Sequence, residues 1–137
     1  MWRLQKMVCA DSVAPIPAKF RAIEHDLLDF ERASTLYVAG PRNSTHVVFF
    51  IGGWPDDHRT FLPLAARLAD SGCLVGVGCM PDFDRIAQGK TPLRKWGFNF
   101  DEMGECCAQA VAALRAQAAL GSDSRSRLCL RALPVAH

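Results

Sequence analysis

Two stretches of the chain are continuously apolar, and the segment between them has helical spacing. The stretches are His46–Ile51 (HVVFFI) and residues 73–80 (CLVGVGCM). A strand with one side in water alternates apolar and polar residues, so an unbroken apolar run indicates a strand covered on both faces. The segment that joins them places apolar residues three or four positions apart, at Phe61, Leu64, Ala65 and Leu68. The pattern predicts a strand–helix–strand unit with two parallel strands and a helix stop at Gly72.

Two weaker strand patterns precede this unit. Residues 19–30 alternate in part, and residues 34–40 form a short apolar segment that ends at the turn signal Gly40-Pro41. Together they predict an antiparallel N-terminal ribbon. We expect residues 1–18 to form an irregular lead-in and residues 19–137 to form one domain.

The second half of the chain begins with a predicted loop over residues 81–97, followed by the clearest helix. Asn99 is a typical N-cap, and Glu102 three positions later completes a capping box. Gly121 is the predicted end. The predicted apolar face consists of Phe100, Met103, Cys107, Ala110, Val111 and Leu114. Residues 126–130 then begin a further buried strand, whose continuation Arg131 and Pro134 oppose.

These elements predict an α/β fold. Its sheet is expected to be doubly wound, partial and mostly parallel, with the antiparallel ribbon at its N-terminal side. The 137 residues suffice for one domain but not for two.

Charge and cysteine usage narrow the function classes. The net charge of +2 and the scattered basic residues argue against a nucleic-acid partner. No stretch approaches the roughly 18 apolar residues of a membrane span. The six cysteines form no C-x-x-C pair and no export signal precedes them, so reduced thiols and a cytoplasmic location are predicted.

The first apolar run ends in Gly52, Gly53, Trp54 and Pro55. In parallel sheets, ligands bind at the carboxyl ends of the strands, where this turn is expected to lie. Glycines allow a sharp bend and a close approach to a ligand, and amide N–H groups can stabilise a developing negative oxygen. The turn is therefore a candidate oxyanion site.

The motifs VVFFIGGWP, F-x-x-L-A-x-x-L-A-x-x-G-C-x-V (residues 61–75) and C-M-P-D resemble the N-terminal half of an α/β-hydrolase domain. The resemblance implies hydrolysis of a small ester, thioester, amide or epoxide without a cofactor. It assigns the oxyanion N–H to Trp54, with Gly53 in the same turn, and makes Gly52 and Pro55 substrate-binding residues that shape it. The usual turn of the family is His-Gly-x-Pro, so Gly52 replaces a histidine. The residues after Pro81-Asp82 also depart from the family pattern.

The chain contains no Gly-x-Ser-x-Gly motif. No residues follow the last predicted strand to supply a nucleophile, an acid and a histidine, and His137 has no predicted role. We therefore expect a hydrolase truncated or frame-shifted before its nucleophile, inactive by itself. The alternative is a non-catalytic remnant or an interaction protein that self-associates through an exposed sheet edge. A redox or nucleotide module is disfavoured because C-x-x-C and G-x-G-x-x-G are absent.

Other polar and aromatic groups have two interpretations each. Two short segments carry carboxylates and a histidine that could bind a metal: Asp56, Asp57, His58, Asp82 and Asp84. Charged residues at the start of a helix are the better explanation, because the helix dipole favours negative charge there, so no metal is predicted. Core packing is the favoured role of Cys106 and Cys107. Trp96 and Phe98 belong either to a pocket rim or to ordinary packing.

Overall fold

The structure, a computed structural model, describes residues 16–53 and 57–118 and the backbone of residues 127–130. Its strands are β1 (Arg21–Leu27), β2 (Phe30–Ala39), β3 (His46–Ile51), β4 (Leu74–Gly78) and β5 (Arg127–Leu130). Its α-helices are α1 (Leu62–Asp70), α2 (Phe83–Ala87) and α3 (Phe100–Ala118), and His58–Thr60 forms a 3₁₀ turn. The strands form one sheet in the order β1-β2-β4-β3-β5. Most of the predicted lead-in, the predicted helix end at Gly121, and Arg131, Pro134 and His137 lie outside the described residues.

The prediction of a mostly parallel, doubly wound sheet is wrong, because the sheet is mixed. The pairs β1–β2 and β2–β4 are antiparallel, whereas β3 is parallel to β4 and to β5. Among the four strands whose side chains are described, antiparallel pairing therefore predominates. The predicted ribbon of β1 and β2 is present, but it is not a separate edge feature, since Tyr37, Val38 and Ala39 of β2 also pair with β4.

A physical signal for this pairing lies in β2 itself. Residues 36–39 are all buried, which is the same two-sided coverage that marks β3 and β4. An edge ribbon would leave one face or one side of this segment in water. The continuous apolar run in β2 is thus the sequence feature that indicates an interior position of this strand in the sheet.

The strand–helix–strand prediction is confirmed by the parallel pairing of β3 with β4 around α1. Successive residues of β4 face opposite sides of the sheet. Val75 and Val77 pack in one apolar cluster with α1, and Leu74 packs in another with Ala110 and Leu114 of α3. All five residues of β4 are buried. Helices therefore cover the sheet on both sides of its central strand.

The capping box of α3 is confirmed. The Glu102 N–H donates to Asn99 Oδ1 at 2.9 Å, and the Asn99 N–H donates to Glu102 Oε2 at 3.0 Å. The predicted apolar face is correct at Ala110 and Leu114, but Phe100 is 90% exposed. Phe100 begins the helix, whereas the first buried residue of its core-facing side is Cys106.

Two other local predictions differ from the structure. In α1 the buried residues are Leu62 and Ala65, whereas Leu64 is 45% exposed. Pro63 occupies the first turn, where a missing N–H costs no helical hydrogen bond. The predicted loop 81–97 contains the short helix α2.

The turn after β2 depends on a glycine that both bends and closely approaches a neighbour. Gly40 has φ +97°, and a Cβ there would lie 1.9 Å from the carbonyl oxygen of Cys73. Gly72 has a nearly identical φ of +96° but nothing within 4 Å of its Cβ position. A side chain at either position would strain the backbone, but only a side chain at Gly40 would also clash with a neighbouring group.

We predict that Gly40→Ala destabilises the fold more than Gly72→Ala does. The left-handed conformation costs about 1–2 kcal/mol in either variant, and the clash adds about 1–3 kcal/mol at residue 40 alone. Urea unfolding of both variants measures the difference. Equal losses in the free energy of unfolding would show that the Gly40–Cys73 contact does not exist in solution.

Candidate functional site

The candidate site lies where β3 and β4 end side by side. Ile51 pairs with Gly78 at the last step of the parallel ladder. The residues that follow the two strands therefore meet at the carboxyl ends of β3 and β4, and we call this end of the strands the carboxyl edge of the sheet. Gly52 and Gly53 follow β3, and Cys79 follows β4. Antiparallel β2 contributes Tyr37, which pairs with Val77 close to the same edge.

Four buried polar groups come together where β4 ends, and we call them the edge cluster: Tyr37, His58, Cys79 and Asp84. The His58 and Tyr37 rings have centroids 4.7 Å apart. The Cys79 Sγ lies 3.8 Å from His58 Nδ1, within reach of a sulfur hydrogen bond. All four residues are less than 9% exposed.

The 3₁₀ turn positions His58. Asp57 caps this turn, because its Oδ1 accepts a hydrogen bond of 2.8 Å from the Arg59 N–H. The same carboxylate forms an ion pair with the Arg59 guanidinium. These bonds fix the 3₁₀ turn, in which Asp57 and Arg59 are partly exposed and the intervening His58 imidazole is buried against Cys79.

Two buried aspartates after β4 are held by backbone amides. Asp84 accepts from the Thr35 N–H at 3.1 Å and from the Arg85 N–H at 2.9 Å. Asp82 accepts from the Leu93 N–H at 2.8 Å and the Arg94 N–H at 3.1 Å, with its own φ at +69°. A left-handed backbone at a non-glycine residue is kept only where surrounding bonds require it. These bonds account for the buried carboxylates, and the described residues contain no group of three metal-ligating side chains.

Burial keeps the thiol and the imidazole of the edge cluster neutral. Burial, followed by the nearby Asp84 charge, raises the pKa of Cys79 to about 12. Burial also lowers the pKa of His58, against the opposing effect of Asp57. A reactive cysteine requires the reverse, a thiolate stabilised by a cationic neighbour. The Cys79–His58 pair is therefore not an activated nucleophile.

The structure describes only part of the predicted oxyanion turn. Gly52 is buried and Gly53 is half-buried at the end of β3, whereas Trp54, Pro55 and Asp56 lie outside the described residues. No sequence motif marks Tyr37 or Cys79 as site residues, and the pattern around His58 suggested only a metal ligand. The sequence does contain one indication of Cys79 as a site residue. Cys79 directly follows a buried strand, which is the position where parallel sheets place functional side chains.

Comparisons with known proteins add no family. A scan of the chain against protein-family models and a search of curated proteins each returned no match. None of the helices in the described ranges is long and apolar enough to cross a membrane. Of the described cysteines, Cys73, Cys79, Cys106 and Cys107 are free thiols.

The buried imidazole predicts a pH dependence of stability. The folded chain lowers the pKa of His58, so below the ordinary value of about 6.5 the unfolded chain binds more protons than the folded one. Stability is then fully present above pH 6.5 and falls as the pH drops toward the folded-state pKa, by at most about 1.4 kcal/mol per pH unit. We predict that His58→Gln flattens this fall.

The measurement is the free energy of unfolding by urea across this pH range. His46→Gln is the matched control, because His46 is exposed. If His58→Gln and the unsubstituted chain lose stability in parallel as the pH falls, His58 is not buried as a neutral imidazole.

Proposed function

We propose that this chain carries an oxyanion-stabilising turn of a hydrolase that resembles the α/β-hydrolases. The substrate would be a small ester, thioester, amide or epoxide, and no cofactor is required. One observation carries the proposal. Gly52 and Gly53 follow β3 at the carboxyl edge of the parallel β3–β4 pair, in the loop that leads to α1. In α/β-hydrolases, the corresponding strand-to-helix loop donates an oxyanion-hole N–H.

The surroundings of the turn support this chemistry. Backbone N–H groups stabilise developing negative charge best where water is excluded and the dipoles are already oriented. The edge cluster provides such surroundings at the end of the neighbouring strand β4, because its groups are buried and the Cys79–His58 pair is neutral. The Cys79–His58 pair is not an activated nucleophile, and the proposal places the nucleophile beyond this chain.

We also propose a cytoplasmic location. The cysteines whose side chains are described, Cys73, Cys79, Cys106 and Cys107, are free thiols. Free thiols persist in reducing compartments, which supports this assignment.

An interaction protein is the second candidate function. In the described residues β5 pairs with β3 alone and forms one end of the sheet. The opposite edge, β1, carries alternating exposed polar residues and a register irregularity between His25 and Leu27, features that discourage strand addition. An edge strand β5 that pairs with no second strand among the described residues would favour self-association by strand pairing. A dimer that forms with rising concentration in light scattering, without any effect on ester cleavage, would favour this candidate.

The oxyanion proposal is tested with a nucleophile supplied in solution. We expect the chain to accelerate cleavage of p-nitrophenyl acetate by added hydroxylamine, because the oxyanion of this reaction can use the N–H of residue 54. Trp54→Pro removes that N–H and should reduce the acceleration about 100-fold. Trp54→Phe keeps both the N–H and an aromatic ring, and it should retain the acceleration.

Thermal unfolding of both variants controls for a change in the fold. The proposal is wrong if the unsubstituted chain gives no acceleration over buffer and hydroxylamine alone. It is equally wrong if folded Trp54→Pro and Trp54→Phe behave alike.

A further inference from the structure

Two aromatic side chains project almost entirely into water at and just before the start of α3. Trp96 is 89% exposed and Phe100 is 90% exposed, whereas Phe98 between them is 8% exposed. Large aromatic residues usually bury most of their surface. Two of them exposed within five residues mark this segment as a contact surface. We call Trp96, Phe100 and the exposed Lys90 and Lys95 of the same chain segment the aromatic rim.

The backbone that carries the rim is anchored on both sides. The Asp82 carboxylate accepts hydrogen bonds from the amides of Leu93 and Arg94. The Arg94 guanidinium lies 4.7 Å from the centre of the Phe98 ring and forms an ion pair with Glu102. The exposed aromatics therefore stand on a bonded framework, so that displaying them costs little further ordering.

Charge indicates which partner this surface fits. Residues 88–100 contain three cations, Lys90, Arg94 and Lys95, and no acidic residue. Glu102 compensates Arg94, but neither lysine has an ion-pair partner within the described residues. The Lys95 Nζ lies 5.1 Å from the Trp96 ring centre, so charge and aromatic surface are adjacent. Even with the negative charge of the exposed Asp101 nearby in sequence, the two lysines give the rim a net positive charge.

Tryptophan and phenylalanine beside unpaired lysines are the residues that protein surfaces use at the headgroup region of membranes. A second copy of this chain is a poorer fit, because a symmetric contact would bring the lysines of both copies to one interface. Peripheral binding of this kind needs no membrane-spanning helix.

We propose that the aromatic rim binds the surface of an anionic lipid bilayer. Trp96 and Phe100 lie in the headgroup region, and Lys90 and Lys95 face the lipid phosphates. This surface is carried by residues other than the oxyanion turn, so it stands whether or not the chain takes part in hydrolysis.

The test is co-sedimentation of the full chain with vesicles of phosphatidylcholine alone or of phosphatidylcholine mixed with phosphatidylglycerol. We expect binding to the anionic vesicles to be at least about tenfold stronger, and to weaken with added salt. Lys90→Gln with Lys95→Gln should remove this preference. Trp96→Ser with Phe100→Ser should lower binding about tenfold or more.

Leu64→Ser is the matched control, because Leu64 is an exposed apolar residue on α1 and should bind like the unsubstituted chain. All substituted residues are exposed, and thermal unfolding checks that the fold is kept. The proposal is overturned if the unsubstituted chain stays in solution with anionic vesicles, or if the Trp96/Phe100 variant binds them equally well. It is also overturned if these two substitutions abolish a dimer seen by light scattering in a chain that binds no vesicles, since the rim is then a protein interface.

Discussion

The central strand β4 is completely buried, and its neighbours pack so closely against it that two of its positions have little or no room for a side chain. The positions of the neighbouring strands and helices depend on this close packing. A Cβ on Gly76 would lie 2.8 Å from a methyl group of Leu114, and one on Gly78 would lie 3.3 Å from the Phe49 ring. These glycines let α3 and a β3 side chain approach the strand more closely than side chains on β4 would allow. Both glycines lie on the face of β4 that α3 covers, and close approach on this face increases apolar burial in a small domain, where the core is limited by chain length.

The position of β4 also assembles the candidate site. Because β4 runs parallel to β3 and antiparallel to β2, the glycine turn, Cys79 and Tyr37 lie at the same end of the sheet. The 3₁₀ turn places His58 there as well. Asp82 then ties the end of β4 to the segment before α3. The proposed oxyanion turn and the aromatic rim are thus connected through a few residues after one strand.

Local sequence signals predicted those parts of the fold that depend on nearby residues. The unbroken apolar runs of β3 and β4 indicated two-sided burial, and Asn99 with Glu102 located the start of α3. The pairing of β2 with β4 was missed because an apolar run reports coverage but not the identity of the neighbouring strand. Likewise, the glycine turn was visible from composition, whereas Tyr37, His58 and Cys79 are far apart in sequence. Only the antiparallel insertion of β2 beside β4 places Tyr37 against the His58 ring.

The most direct test of this account is the pairing of β2 with β4 in solution. Nuclear Overhauser effects between backbone protons of an isotopically labelled chain report it. The account predicts antiparallel contacts that connect Tyr37 with Val77, Val38 with Gly76 and Ala39 with Val75. Contacts of β2 with β1 alone, with β4 flanked by parallel strands on both sides, would contradict the mixed sheet and with it the assembly of the edge cluster.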